Sequence, residues 1–291
     1  MATIDHSLTY RALTLRSLPH RFRLRAIRAL IRTLDLPERP VYADFGCSNG
    51  YVSEQIRRLT AARESYGLDH HDKHFETGRS LYPEIQFDRF DLNLPHAPPV
   101  RCDLVTCFET LEHVGRLDRA VANLVSAVAP GGTLVISVPI EIGVVGLAKL
   151  ALKLAYGANL SELSAMPGLL RRYIWALVTG ARISRFRDDR RGWVSHFGFD
   201  YRDLDDLLSQ SLVEVRRWNS VTTRFYVARV CGSTASSIAS IRSTNTLSAT
   251  RHGPPGAEAA RTDLRMARGE DHAAPHWPTF RTARWVSPKL K

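Results

Sequence analysis

The chain has 291 residues, 44% of them hydrophobic, and carries 40 Lys and Arg against 29 Asp and Glu, a formal net charge of +11. The apolar share supports an ordinary buried core and excludes a wholly disordered or fibrous chain. Cys47, Cys102, Cys107 and Cys231 form no Cys-x-x-Cys pair, which argues against a disulfide or zinc framework and fits a reducing compartment.

Residues 1–38 read as a basic amphipathic helical segment. Leu24, Ile27, Ile31 and Leu34 recur at helical spacing, while Arg21, Arg25, Arg28 and Arg32 share another face. Such a helix packs beside a cleft with its basic face solvated, lies on an anionic membrane, or binds nucleic acid. It is Arg-rich and acid-poor, as transit peptides are, but holds no apolar run of the secretory kind, so a cytoplasmic location is expected.

A short apolar run beginning at Val41 ends in Asp44, and Gly46 and Gly50 then bracket a turn that opens into a helical pattern. Such a turn is expected to present unpaired N–H groups, and glycine lets a ligand approach the main chain closely. A second run ends at Asp69, 23 residues beyond Gly46. In nucleotide-binding βαβ units an acid about 20 residues past the turn accepts hydrogen bonds from ribose hydroxyls. Further strand-like runs cover 85–92, with Asp91 at the end, 102–109 and 132–139; a helix is expected over 117–128. The alternation predicts a parallel sheet covered on both faces.

Taken in order, Asp44-Phe-Gly-Cys-Ser-Asn-Gly50, Asp69, Asp91-Leu92, the run from Asp103 to Val114, and Ala129-Pro-Gly-Gly-Thr133 resemble the class I S-adenosylmethionine-dependent methyltransferases. The likeness covers roughly residues 40–139, with a weaker tail at 196–230. It implies a Rossmann-like, seven-stranded, mostly parallel α/β sheet whose last two strands form an antiparallel edge. It also implies that Asp44 and the turn around Gly46, Cys47 and Gly50 hold the methionine end of the cofactor. Asp69 would take the ribose hydroxyls, and Asp91 the adenine amino group, with Leu92 against the ring. A dehydrogenase would need Gly-x-Gly-x-x-Gly, but position 48 is Ser.

Glu109, Glu112 and His113 would face one point if a helix began directly after the fourth strand. With His196 they offer carboxylate and imidazole ligands for a divalent ion such as Mg²⁺, or a general base. The pattern is similar to ubiquinone-type O-methyltransferases, and to RNA 2′-O-methyltransferases in which two Glu and two His bind a metal beside the accepting hydroxyl. The plainer alternative is that Glu112 caps a helix and His113 is a core histidine. Catalytic roles are expected for Glu112, His113 and His196, and metal-ligand roles for Glu109, Glu112, His113 and His196.

The expected segments are 1–38, the cofactor-binding core 39–139, a helical insert 140–195, the remainder of the core 196–231, and a tail 232–291. The insert carries apolar runs at 142–155 and 169–178, each short of the roughly 18–20 residues that span a bilayer. It reads as an acceptor lid, as a membrane-peripheral surface through 140–183, or as both. Residues 185–191 are a charge run expected to be a solvated connection. The tail holds nine basic and four acidic residues and reads as disordered. The leading expectation is methyl transfer to an oxygen of a small-molecule or lipid-like acceptor. The alternatives are RNA ribose methylation and a non-catalytic cofactor-binding partner protein.

Overall fold

The structure, a computed structural model, describes Tyr10 and residues 17–95, 98, 100–155, 168–187, 192–211 and 214–230. Two compact units divide the chain at Ser248, and every described residue lies in the first. The expected tail at 232–291 falls outside the described residues, as does Cys231.

Helix α1 (Leu18–Ile31) precedes strand β1 (Val41–Phe45), α2 (Tyr51–Thr60) and β2 (Glu64–Asp69). Then come α3 (Phe75–Leu81), β3 (Gln86–Arg89), β4 (Cys102–Phe108), α4 (Leu117–Ala127) and β5 (Val128–Pro139). The insert contributes α5 (Gly143–Ala155) and α6 (Leu169–Thr179); α7 (Tyr201–Ser211), β6 (Glu214–Ser220) and β7 (Thr223–Arg229) complete the order. The seven strands lie in the order β3-β2-β1-β4-β5-β7-β6, with β1 to β5 parallel and β7 antiparallel to both neighbours. The expected sheet and its antiparallel edge are both present.

Three boundaries differ from the sequence reading. β3 stops at Arg89, which leaves Asp91 in the following turn. β5 starts earlier, at Val128, with a register shift against β4 between Cys102 and Leu104. No α-helix begins at Glu109: this residue has φ 49°, and only a single 3-10 turn follows, at Leu111–His113.

Alternating strand residues bury opposite sheet faces. Tyr42, Leu104, Val135, Phe225 and Val227 pack on one side with Ile27 and Ile31 of α1 and Ile56 of α2. Ala43, Phe45, Val105, Leu134, Ile136, Tyr226 and Ala228 pack on the other with Leu124 of α4 and Leu204 and Leu208 of α7. The apolar stripe of the N-terminal helix is therefore core, and the helix closes one sheet face.

The chain leaves β1 toward β2 and β3 on one side and returns to β4 on the other. At such a reversal open α/β sheets bind ligands outside the carboxyl ends of the strands, here those of β1 and β4. Gly46, Thr110 and the residues between Glu109 and His113 all follow those two strand ends.

Candidate active site

At the end of β1, Gly46 has φ 84°, and a Cβ there would lie 2.0 Å from Thr110 Oγ1. Glycine is required by both conformation and space, because the loops after β1 and β4 meet at this point. The amides of the turn are not unpaired as expected. Those of Gly46 and Cys47 donate to the Leu68 carbonyl, that of Ser48 to Asp69 Oδ2 at 2.9 Å, and that of Gly50 to the Cys47 carbonyl. Cys47 itself is buried, and burial pushes its thiol pKa up.

Asp44 corrects a second expectation. It is only 2% exposed, and its two oxygens accept from Ser53 Oγ at 2.6 Å and Thr106 Oγ1 at 2.7 Å. Burial pushes its pKa up to about 6 despite those two hydrogen bonds. The carboxyl braces β1 against β4 and α2 instead of presenting an open anion to a ligand.

Asp69 sits at the carboxyl end of β2, where it also receives the His71 amide at 3.1 Å and lies 3.1 Å from His70 Nδ1. Burial alone would raise it. The hydrogen bonds from His70 and from the His71 and Ser48 amides outweigh that and hold it below the ordinary carboxylate value. Its side chain keeps 13% exposure, so an ionised acceptor reaches the cleft. Asp91 Oδ1 accepts from the Asn93 amide, from Asn93 Nδ2 and, at 3.1 Å, from Trp193 Nε1. Leu92 is 2% exposed within the core cluster.

Beyond β4 the structure brings Glu112, His113 and His196 together, with one ligand-type atom of each within 4.8 Å of the others. The two imidazoles meet edge to face, with ring centroids 4.2 Å apart. Glu112 is fully buried, and neither carboxyl oxygen has a hydrogen-bond partner; His196 Nδ1 stands 4.0 Å from Oε1. Burial, then the neighbouring Glu109, push the Glu112 pKa well up and favour the neutral acid. His113 Nδ1 lies 3.0 Å from the Val194 carbonyl. A carbonyl only accepts, so Nδ1 carries the hydrogen and Nε2 keeps its lone pair. Burial lowers the pKa of both histidines and outweighs the Val194 hydrogen bond at His113.

Glu109 does not join this cluster. Its carboxylate takes Arg23 of α1 at 2.8 Å and Ser137 Oγ of β5 at 2.9 Å, because the left-handed backbone at Glu109 turns its side chain away from the 3-10 turn. The expected four-residue set is therefore three. Arg187 supplies another correction, since it is no solvated connector: Nη2 donates at 2.8 Å to the carbonyls of Glu112 and of Val114. Sequence reasoning missed Arg23, His70, Arg187 and Trp193. All four act across 73 or more residues, which no local signal in the sequence connects.

Residues 18–203 match the family whose description is methyltransferase domain, well over half of the chain. The chain belongs to the class I S-adenosylmethionine-dependent methyltransferases. This methyltransferase is similar to the trans-aconitate 2-methyltransferase of Rhizobium meliloti (strain 1021), with 34% identity over 40% of this chain and 45% of the relative. The enzyme of the same name from Variovorax paradoxus (strain S110) is 26% identical over 40% and 45%. A solved S-adenosylmethionine-dependent methyltransferase from Mesorhizobium loti is 28% identical over 41% of this chain and 53% of that one, with a TM-score of 0.34. The chain spans less than half the length of these curated relatives.

The residues of the methyltransferase turn fit the family's cofactor. Ser48 Oγ is a buried hydroxyl with no hydrogen-bond partner, in a turn with two left-handed glycines and next to the partly exposed Asp69. Those groups would hold the amino-acid and ribose portions of S-adenosylmethionine.

Proposed function

We propose that this methyltransferase methylates a hydroxyl oxygen of a small-molecule or lipid-like acceptor, with His113 as general base. One observation carries the reading: the Val194 carbonyl fixes the His113 tautomer and leaves Nε2 with a lone pair in a cluster whose histidines favour the neutral form. When bound, S-adenosylmethionine supplies an electrophilic sulfonium methyl. His113 Nε2 takes the acceptor proton as the acceptor oxygen bonds the methyl carbon and that carbon's bond to sulfur breaks, and neutral Glu112, 4.0 Å from His196 Nδ1, is placed to orient that imidazole. The Glu109–Arg23 pair anchors α1 at the edge of the cleft and helps to exclude water.

Relatives named for trans-aconitate support a small-molecule acceptor. The lipid-like version draws on the insert, where Val144 is 81%, Leu152 57%, Trp175 59% and Val178 65% exposed beside the exposed Lys153, Arg171 and Arg172. No helix among the described residues is long and apolar enough to cross a membrane. A second reading, ribose methylation with a divalent ion, is favoured by the compactness of Glu112, His113 and His196 and by the unpartnered Glu112 oxygens. The pairing of Glu109 with Arg23 counts against it.

The test is transfer of labelled methyl from S-adenosylmethionine by the full chain to three acceptor sets: hydroxylated metabolites, hydroxylated lipids in vesicles, and small RNA. Each runs with and without Mg²⁺ or Mn²⁺. Metal-independent labelling of a small molecule or lipid is expected. Labelling of RNA alone, dependent on metal, would replace this reading with the second.

A further inference from the structure

We infer that the indole of Trp193 is a built-in occupant of the adenine seat, which S-adenosylmethionine must displace in order to bind; this rests on the cofactor reading of Asp69 and Asp91. The indole lies flat on the His70 imidazole, with ring centroids 3.6 Å apart and planes 16° apart, and its Nε1 donates to Asp91 Oδ1 at 3.1 Å. An adenine offers the same two handles, a flat π face and an N–H donor at its edge. His70 follows Asp69 at the end of β2, and Asp69 stands in register with Arg89 at the end of the adjacent β3, two residues before Asp91. The stacking partner and the acceptor thus belong to one rim, directly beside the ribose acceptor.

Spacing excludes joint occupancy. A third ring between His70 and Trp193 would need about two contact distances, roughly 7 Å, between the flanking rings. The observed separation is about half of that. The indole is also held from behind. Trp193 forms an antiparallel bridge with Val114, the Val194 amide donates to the His113 carbonyl at 2.8 Å, and the Gly115 amide donates to the Gly192 carbonyl. Trp193 packs against the same apolar cluster that buries Leu92, the residue expected against the adenine ring. The strap 192–194 therefore presents an adenine-like group where the nucleoside belongs, and the cofactor's apparent affinity is lowered by the fraction of molecules so occupied.

Calorimetric titration of S-adenosylhomocysteine into the full-length wild type, Trp193→Ala and Trp193→Phe tests this. Trp193→Ala should tighten binding about tenfold, and Trp193→Phe, which keeps a ring but loses the N–H, should fall in between. Tryptophan emission of the wild type should change on titration, and this change should vanish in Trp193→Phe. Weakened or unchanged binding by Trp193→Ala would overturn the proposal and make the indole a wall of the pocket or a bystander. If Trp193→Ala does not fold, the affinity of Trp193→Phe and the emission change decide. Failure of all three proteins to bind would instead remove the cofactor reading itself, and the proposal with it.

Discussion

Asp44→Asn should gain stability relative to wild type as pH rises through a narrow window. In the fold its pKa is raised from 3.8 to about 6, mainly by burial. The native state therefore holds this proton more tightly than the unfolded chain does. The resulting stability is complete below about pH 4 and is lost as pH rises through about 6. About two pKa units correspond to about 3 kcal/mol. The asparagine carries no charge, keeps one oxygen for Ser53 or Thr106, and can donate to the other hydroxyl. Relative to wild type, the variant should gain about 3 kcal/mol between about pH 3 and about pH 8, whatever its offset at either end. Urea unfolding of both full-length proteins across that range, read as midpoints at constant slope, measures the difference. A change below about 1 kcal/mol would mean that Asp44 is well solvated or stabilised as an anion, against its burial. The same variant should bind S-adenosylhomocysteine within a few-fold of wild type, because the carboxyl braces the turn. A loss beyond about tenfold would restore the direct contact with the cofactor ammonium.

Asp69→Ala should weaken S-adenosylhomocysteine binding by about 1–3 kcal/mol in calorimetry, since an ionised acceptor is lost and the Ser48 amide is released. Unchanged affinity would show that Asp69 only ties the turn to β2. His113→Gln should lower kcat about 10²–10⁴-fold with little change in cofactor affinity. Because the His113 pKa lies below its ordinary 6.5, the base stays neutral as pH falls toward that value. Wild-type kcat/KM should therefore be flat above about pH 7 and fall on an acid limb lower down. An acid limb centred above about pH 7 would refute the assignment. Arg23→Met should cost about 2 kcal/mol in thermal or urea unfolding, because it strips a charged partner from Glu109 beside the buried Glu112. An unaltered midpoint would mean that the pair is fully screened.

The sheet was readable because its signals are local. Strands β1, β2 and β4 are short runs that end at or just before Gly46, Asp69 and Glu109, and α1 showed its buried stripe at Leu24, Ile27 and Ile31. The positions of Gly46, Gly50 and Asp69 followed from spacing alone. Directions did not. Asp44 turns inward because Ser53 and Thr106 claim both of its oxygens, a fact that lies in pairings 9 and 62 residues apart. Glu109 departs from its predicted face because one left-handed residue ends β4, and nothing in Phe-Glu-Thr specifies that kink for a non-glycine residue. The insert hid the most, since Arg187, Trp193 and Val194 do their work on the loops after β3 and β4, which no periodicity connects to them.

Residues 193–196 serve both halves of the cleft: Trp193 reaches the donor side at His70 and Asp91, Val194 fixes His113, and His196 completes the cluster with Glu112. The insert is consequently not a cassette. A chimera that exchanges residues 140–196 to acquire a new acceptor would also replace the part that touches the donor seat and the part that sets the base's tautomer. An exchange that stops before Gly192 would leave both in place. The boundary between a transplantable specificity module and the fixed reaction centre therefore runs inside the insert, close to its last glycine.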